Sequence, residues 1–351
     1  MTMYPQNYTK ISFPFLNLEM NPPREIPLFG NAVIYLYGLI ISLGLVLAVV
    51  YALKRRKEFG LLENDILDGV LGIVPFAVIC ARIYYCIFNW EYYQAKPGDI
   101  IKIWDGGLAI YGGIIGAVIG ILVLCKIKKI KTAALFDLVA LGFLIGQSIG
   151  RWGNFFNREA VGVLKEGSNL FIRMGLYNEK GFPTGWEYFH PTFLYESLWN
   201  AVGFAALHFL SKKRKYDGQI ALGYVAWYGL GRTLIEGLRA DSLYMGPFRV
   251  SQLLAAVTCF AAAVVLVIQL FRYHNPADLY VTQVTDELEA EEEQKAEEAE
   301  KKAAFWSNLK KKLQKKDEAE IEEEVEEPEE ETEETEEATE EETEESEETE
   351  A

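Results

Sequence analysis

Seven windows of about 20 mostly apolar residues dominate the sequence and constrain its fold more than any other feature. They cover residues 32–53, 66–88, 107–125, 133–149, 191–210, 218–238 and 250–271. Each window is long enough to cross about 30 Å of hydrocarbon as an α-helix. We therefore predict an all-α polytopic membrane protein with seven transmembrane helices, rather than a soluble bundle of very apolar helices.

Basic residues in the short loops predict the orientation of these spans. Clusters of lysine and arginine follow the first, third and fifth spans, at 54–57, 126–131 and 212–215, and Arg272 follows the seventh. Loops on the cytoplasmic side of a membrane carry an excess of positive charge. The alternation thus predicts an N-terminus outside the cell and a C-terminus in the cytoplasm.

Net charge divides the chain into two parts of opposite character. The whole chain carries −17, but residues 275–351 alone carry −25 and residues 1–274 carry +8. We predict a membrane domain over 1–274 and a cytoplasmic tail over 275–351. In the tail, residues 297–316 place aromatic and lysine side chains at helical spacing, which fits either a helix on an anionic leaflet or a partly solvated helix. The acidic sequence beyond Asp317 has little to bury, so we predict that it is disordered.

Charged side chains within apolar spans are costly and are therefore candidates for function. With the N-terminus outside, eight charged or titratable residues and two tyrosines converge on the outer half of the bilayer: Tyr37, Arg82, Asp105, Tyr111, Arg151, His190, Glu196, Arg232, Glu236 and Arg239. A guanidinium at that depth suits the phosphate of a phospholipid. The residues alone indicate a site for an anionic lipid head group. For Arg232, Glu236 and Arg239, a self-neutralising structural network is the alternative.

A polar, glycine-containing stretch follows the fourth span and is the most distinctive motif of the chain. It reads Gly150-Arg151-Trp152-Gly153-Asn154-Phe155-Phe156-Asn157-Arg158-Glu159, with Gly162 close behind. This stretch resembles the signature of the bacterial prolipoprotein diacylglyceryl transferases that use phosphatidylglycerol. The resemblance extends in order over residues 25–272, through Tyr37-Gly38, Arg82, Gly106-Gly107-Leu108-Ala109-Ile110-Tyr111-Gly112-Gly113, His190-Pro191-Thr192, Leu194-Tyr195-Glu196, Gly229, Arg232, Glu236 and Arg239. The tail lies outside it.

The resemblance implies an enzyme that acts on a lipid and a protein. In the reaction, the thiol of the lipobox cysteine of a secreted prolipoprotein displaces glycerol phosphate from phosphatidylglycerol and leaves a diacylglyceryl thioether. This is the first step of bacterial lipoprotein maturation. The resemblance also implies a multi-pass protein of the cytoplasmic membrane whose active site faces the outer leaflet. It implies no metal, no organic cofactor and no nucleic-acid partner.

The resemblance assigns roles to individual residues. Arg151 is similar to the family's essential phosphatidylglycerol-binding arginine, and Arg232 is similar to its second essential arginine. We expect the catalytic residues to be Arg151, Arg232, Glu236, Tyr111 and Tyr37. We expect the phosphatidylglycerol-binding residues to be Arg151, Asn154, Glu159, Gly162, Arg82, Arg239 and His190.

Tyr111 is a departure from the pattern of those family members that carry a histidine at this position. That histidine is a candidate for the base that takes the thiol proton. A phenol has a pKa of about 10 and is neutral at pH 7, so an obligatory histidine base cannot act here. A free cysteine is already a few per cent thiolate at neutral pH, and a positive cavity favours the thiolate further. His190 is a possible substitute base or an interfacial cap.

Two other functions fit the sequence less well. A CDP-alcohol phosphotransferase would need clustered aspartates for a divalent metal, but only Asp105 accompanies a Gly-Gly pair. A transporter would place its charges near the bilayer midplane, in broken and repeated helices. Here the charges fall near one face of the predicted bundle.

Overall fold

The computed structural model describes residues 8–27, 33–164, 170–179, 184–239, 244–272 and 274–325. Its α-helices are α1 (Leu36–Arg55), α2 (Glu63–Phe88), α3 (Trp90–Ala95), α4 (Ile110–Lys128), α5 (Thr132–Asn157), α6 (Thr192–Ser211), α7 (Gln219–Glu236), α8 (Val250–Leu270), α9 (Tyr280–Gln283) and α10 (Thr285–Val325). Its strands are β1 (Tyr8–Phe13), β2 (Leu18–Met20), β3 (Glu25–Pro27), β4 (Val33–Tyr35), β5 (Gly162–Val163), β6 (Met174–Asn178), β7 (Gly185–His190), β8 (Tyr244–Met245) and β9 (Phe248–Arg249).

Five helical segments in the described part of the chain are long and apolar enough to cross a membrane. They are Leu36–Phe59, Glu63–Phe88, Ile110–Lys128, Thr132–Asn157 and Val250–Gln269. They coincide with the first four predicted spans and the last. The predicted fifth and sixth spans are also helices, α6 with 20 residues and α7 with 18, but they are outside this set. The chain is therefore a mostly helical, polytopic membrane protein.

Helix α5 lies in the centre of the bundle and packs against α1, α6 and α7. Leu138, Leu141 and Leu144 on α5 are completely buried. Helix α1 differs, because Leu39, Leu43 and other apolar side chains on its outer face are exposed. An exposed apolar face of this length would be unfavourable in water and is suited to lipid.

Two helix pairs pack closely, one through glycines and the other through reciprocal hydrogen bonds. On α4, a Cβ added at Gly112 or Gly116 would approach α2 atoms at Tyr84 and Cys80 to within 2.5 and 2.6 Å. Between α6 and α7, the Trp199 indole N–H donates to the Trp227 carbonyl and the Trp227 indole N–H donates to the Trp199 carbonyl, both at 3.0 Å. The first contact is the close approach that glycines permit in membrane helices. The second satisfies two donors that would otherwise be costly to bury.

A five-stranded antiparallel sheet caps one end of the bundle, and the expectation of an all-α fold omits it. Its strand order is β2-β1-β6-β7-β5. Phe155 at the end of α5 and Phe193 at the start of α6 pack with Ile11 and Leu176 of the sheet. We call this the sheet end of the bundle. The opposite end, the basic end, carries the lysine and arginine clusters that follow α1, α4 and α6.

Residues 274–288, which we call the C-terminal strap, pack against the basic end. The backbone N–H of Tyr280 donates to Asp217 Oδ2 at 2.8 Å, and Lys131 Nζ donates to the carbonyl of Asp278 at 2.7 Å. Val284 and Leu288 are buried. The compact unit accordingly comprises Met1–Leu288, so the folded body extends beyond the predicted boundary at residue 274.

The second unit, Glu289–Ala351, contains most of α10. The helix predicted over 297–316 is part of α10, which continues to Val325. Disorder was expected beyond Asp317, but residues 318–325 are helical. Residues 326–351, for which disorder was also expected, lie outside the described part of the chain.

Two truncations test the role of the C-terminal strap. Removal of residues 289–351 should leave the thermal midpoint of the body unchanged. Removal of residues 275–351 should lower it by about 5 °C, because the strap's hydrogen bonds and buried apolar side chains are lost. Thermal unfolding of both purified variants in the same detergent measures the difference. Equal midpoints would show that the strap adds nothing to the stability of the body.

Candidate active site

A buried carboxylate, Glu196 in the second turn of α6, is the centre of a cluster of arginines at the sheet end. Arg151 Nη2 lies 2.7 Å from Glu196 Oε2, and Arg232 Nη1 lies 3.2 Å from Oε1. Arg239 Nη1 lies 3.1 Å from the same Oε1. One side chain therefore joins the end of α5, the end of α7 and the loop after α7.

Glu236 adds a second buried carboxylate to this arginine cluster. Its Oε2 lies 2.7 Å from Arg232 Nη2, across one turn of α7, and 3.8 Å from Arg239 Nε. Arg249 donates to the backbone carbonyl of Glu236 and thereby ties β9 to the end of α7. Arg239 follows the end of α7 and does not lie on the helix, yet its guanidinium still contacts both carboxylates.

The cluster combines the three guanidiniums of Arg151, Arg232 and Arg239 with the two carboxylates of Glu196 and Glu236. Glu196 and Glu236 are buried, whereas 22% of the Arg151 side chain and 18% of the Arg232 side chain are exposed. The carboxylates hold the guanidiniums in place, and the accessible edge of the cluster is cationic. Such an arrangement can bind an anion such as a phosphate.

The motif predicted to follow the fourth span is mostly helical and forms the last turns of α5. Arg151 and Asn154 are separated by three residues and so lie on one face, with Arg151 Nη1 at 3.5 Å from Asn154 Oδ1. Asn154 Nδ2 donates to Glu159 Oε1 at 2.9 Å, and Asn157 Nδ2 donates to the same oxygen at 3.3 Å. A hydrogen-bonded chain thus leads from the arginine cluster to Glu159.

Two glycines bring other elements close to this chain of contacts. A Cβ at Gly153 would lie 2.8 Å from Cδ2 of Tyr37, whose phenol is near enough to Glu159 and Arg151 to interact electrostatically with both. At Gly162, a Cβ would lie 2.8 Å from the His190 Cβ and 2.9 Å from the Leu238 carbonyl oxygen. Gly162 therefore lets β5 fit between β7 and the segment after α7.

Arg82 lies in a different environment from the arginine cluster. Its guanidinium donates to five backbone carbonyls, those of Asp99, Ile100, Lys102, Gly106 and Gly107, at 2.6 to 3.2 Å. It also lies over the ring of Tyr93, 5.2 Å from the ring centre. All five contacts order the loop before α4. This geometry favours a structural role over the direct lipid contact that the sequence predicts for Arg82.

Tyr111 and His190 have partners outside the arginine cluster. The Tyr111 hydroxyl lies 3.4 Å from Ser251 Oγ at the start of α8. His190 Nδ1 lies 3.4 Å from the Tyr195 hydroxyl. Burial lowers the pKa of the His190 imidazole below its ordinary value. His190 is therefore neutral at pH 7 and is available as an acceptor, but it carries no charge with which to hold a phosphate.

Two residues of the site were not assigned a role from the sequence. In the sequence, Glu196 is a charge in an apolar span and part of the family resemblance, but nothing in its spacing reveals that three arginines meet it. Arg158 has positive φ, is buried, and donates to the carbonyls of Phe156, Thr9 and Pro22. It fastens the N-terminal segment to the end of α5. Burial lowers the pKa of Arg158 to about 10.

Comparison with known proteins agrees with the resemblance seen in the motifs. Residues 24–268 match a family described as prolipoprotein diacylglyceryl transferase. The chain belongs to the prolipoprotein diacylglyceryl transferase family. The family catalyses the first step of lipoprotein lipidation, so the chain is a membrane transferase.

Several curated relatives share the name phosphatidylglycerol--prolipoprotein diacylglyceryl transferase. The relative from Limosilactobacillus reuteri is 44% identical over 245 residues, covering 68% of this chain and 88% of its own length. That from Ligilactobacillus salivarius is 42% identical over 245 residues, covering 68% and 90%. That from Listeria monocytogenes is 40% identical over 254 residues, covering 70% and 90%. The family match ends at residue 268, before the C-terminal strap and α10.

Substitution of Glu196 by glutamine tests its role at the centre of the transferase site. Glu196→Gln leaves three guanidiniums close together without their shared counter-charge, which should cost about 3 kcal/mol of stability. A suitable control is Glu187→Gln on β7, because Glu187 is also hydrogen-bonded, to Tyr8 and Asn178, but lies outside the arginine cluster. Denaturant unfolding of both variants in detergent compares them. A Glu196 variant no less stable than the control would contradict the central role.

Proposed function

We propose that this chain transfers the diacylglyceryl group of phosphatidylglycerol to the lipobox cysteine of prolipoproteins. The observation that carries the proposal is the convergence of Arg151, Arg232 and Arg239 on buried Glu196, which leaves an accessible positive edge. Membership of the transferase family and the names of the relatives support the choice of lipid and protein substrates.

The reaction is a displacement at the glycerol carbon that bears the phosphate. The cysteine sulfur forms a bond to this carbon, while the bond from the carbon to the phosphate oxygen breaks. Glycerol phosphate leaves with the electron pair, and the thiol proton passes to water or to a basic group. The products are a diacylglyceryl thioether and glycerol phosphate.

Arg151 and Arg232 stabilise the leaving group in this scheme. Negative charge grows on the departing phosphate during the displacement, so a fixed guanidinium stabilises the transition state more than the bound lipid. The ion pairs with Glu196 and Glu236 fix both guanidiniums before the substrate arrives. Arg239 contributes charge behind them. Such preorganisation is the main contribution that a protein makes to catalysis of this kind.

The remaining site residues shape and orient the lipid site. We assign Asn154 and Glu159 to the glycerol hydroxyls of the head group, since they form the polar chain beside Arg151. Tyr37 lines the same region through its contact with Gly153, and Gly162 provides the close packing of β5. Arg82 acts indirectly, because it orders the loop before α4 and does not contact the lipid. His190 lies next to β5 and is a neutral acceptor.

The proposed topology has seven spans in the cell membrane, with the sheet end outside. Helices α6 and α7 are the two additional spans, and the inward-facing polar side chains of Glu196, Asn200 and Glu236 account for their lower hydropathy. The lysine and arginine clusters at the basic end support a cytoplasmic location for that end. The arginine cluster then faces the outer leaflet.

Helix α10 carries an exposed aromatic pair beside lysines. Phe305 and Trp306 are 62% and 59% exposed, and Lys301 and Lys302 precede them. An exposed aromatic pair beside lysines binds readily at the surface of an anionic leaflet. This contact is separate from the transfer reaction.

Substitution of the two arginines tests the proposed reaction. Arg151→Ala and Arg232→Ala should each lower the transfer rate at least about a hundredfold, since each removes a transition-state contact. Arg151→Lys should also be strongly impaired, because an ammonium cannot replace the planar guanidinium. Arg173→Ala is a control, because Arg173 lies over Tyr188 and outside the arginine cluster. Mass spectrometry of a lipobox peptide incubated with phosphatidylglycerol measures the diacylglyceryl adduct. No adduct with the folded wild-type protein would refute the proposed function.

The pH dependence tests how the thiol loses its proton. Burial lowers the pKa of the His190 imidazole, so its neutral form predominates between pH 7 and 8. Over this range the rate should rise by about tenfold per pH unit, following the thiolate of the substrate cysteine. Tyr111→Phe and His190→Gln should leave the profile unchanged. A profile that becomes flat or shifts in either variant would identify that residue as the base.

A further inference from the structure

A cavity of about 670 Å³ lies at the sheet end, beside the arginine cluster but outside it. It is lined by β1, the link between β2 and β3, one residue each of β3 and β4, and the end of α5. Its lining includes Tyr8, Thr9, Arg24, Tyr35, Asn157 and Glu159. The volume is in the range of ordinary ligand sites. Apart from Glu159, the residues that line the cavity have no part in the lipid chemistry described above.

The cavity is connected to the arginine cluster by hydrogen bonds. Glu159, in its wall, accepts from Asn154 at 2.9 Å, and Asn154 in turn lies 3.5 Å from Arg151 Nη1. Glu159 in the cavity wall is thus two contacts from a guanidinium that we assign to the lipid phosphate. A second substrate could therefore occupy the cavity while phosphatidylglycerol is bound at the arginine cluster.

The charges of the cavity wall balance, which makes it a poor phosphate site. Arg24 and Arg158 are offset by Glu25 and Glu159. Arg158 Nη1 donates to the carbonyl of Phe156, and its Nη2 donates to the carbonyls of Thr9 and Pro22 and to Asn21 Oδ1. Arg24 Nη2 donates to the Tyr8 carbonyl. Both guanidiniums hold the wall together. The cavity therefore suits an uncharged polar ligand.

The shape and composition of the wall suit an extended polypeptide. Tyr8 and Tyr35 supply aromatic surface, and Pro22 and Pro23 supply rigid apolar surface. Aromatic surface with a few polar groups is typical of grooves that bind peptides in extended form. An extended chain advances about 3.4 Å per residue, so a few residues fill such a cavity.

The position of the cavity relative to the bilayer indicates which peptide it binds. Tyr35 in its wall directly precedes α1, and Val33 and Ile34 beside it are exposed apolar residues. The cavity thus lies at the level where the first apolar helix begins. A protein substrate whose apolar segment lies in the bilayer would present the residues that follow this segment at the same level.

We propose that this cavity binds the two or three residues that follow the acceptor cysteine of the protein substrate. The inference rests on the proposed function and deepens it, because it assigns the second substrate its own subsite. The cysteine would lie between the cavity and the arginine cluster, next to Glu159 and Asn154. Binding of the following residues orients the sulfur towards the glycerol carbon and limits its freedom to move away.

Two peptides test the proposal with the full-length protein in bilayers that contain phosphatidylglycerol. Both carry the same apolar segment and cysteine; one ends at the cysteine as an amide, and the other continues for three uncharged polar residues. The longer peptide should have a KM about tenfold lower at similar kcat, which corresponds to a few well-made contacts. Equal KM values for the two peptides would overturn the proposal.

Two variants localise the effect to the cavity. Tyr35→Ala and Glu25→Gln, both at exposed positions, should raise the KM of the longer peptide towards that of the shorter one. The KM of the shorter peptide and the KM of phosphatidylglycerol should not change. Tyr188→Ala is the control, since Tyr188 is an exposed tyrosine on β7 outside the cavity lining. A variant that raises both peptide KM values equally, or only that of the lipid, would overturn the proposal.

The same experiment separates this proposal from the function on which it rests. Modification of both peptides with no difference between them would leave the transferase activity intact and refute the cavity subsite. Modification of neither peptide by the wild-type protein would refute the transferase activity and the subsite together.

Discussion

The burial of one carboxylate among three guanidiniums is the interaction on which the rest of the site depends. Glu196 contacts Arg151, Arg232 and Arg239, which come from three different elements. Removing charges from water costs several kcal/mol per ion, and only close opposite charges offset that cost. The cluster therefore requires that α5, α6 and α7 be held together accurately. Its accessible edge is positive because the guanidiniums of Arg151 and Arg232 are partly exposed while the carboxylates are buried.

The surrounding fold supplies that accuracy. Central α5 packs on three other helices through fully buried leucines, and the reciprocal Trp199 and Trp227 hydrogen bonds fix α6 against α7. The sheet adds a cap over the same end, anchored by Phe155 and Phe193. The site thus lies where helix ends meet a small sheet, and the C-terminal strap packs against the opposite end, away from the site.

The sequence predicts the helices well because each carries a long apolar signal. Arg151, Arg232, Glu236 and Arg239 are also predicted correctly as neighbours, since membrane helices place charges at a shared depth. The five-stranded sheet is not predicted from the sequence, because its strands have only two to six residues and pair with strands far away in the chain, as β1 does with β6. The central role of Glu196 depends on packing between α6 and α7, and no local sequence pattern predicts it. Arg82 follows the family motif, but its carbonyl partners come from a loop whose path the sequence does not reveal.

The position of the lipid phosphate tests the central claim most directly. A structure of the full-length protein in a bilayer with bound phosphatidylglycerol would show it. The account predicts that phosphate oxygens lie about 3 Å from the guanidiniums of Arg151 and Arg232, with Glu196 still paired behind them. A phosphate bound elsewhere, for example beside Arg82 and Lys102, with the arginine cluster closed on itself, would contradict it.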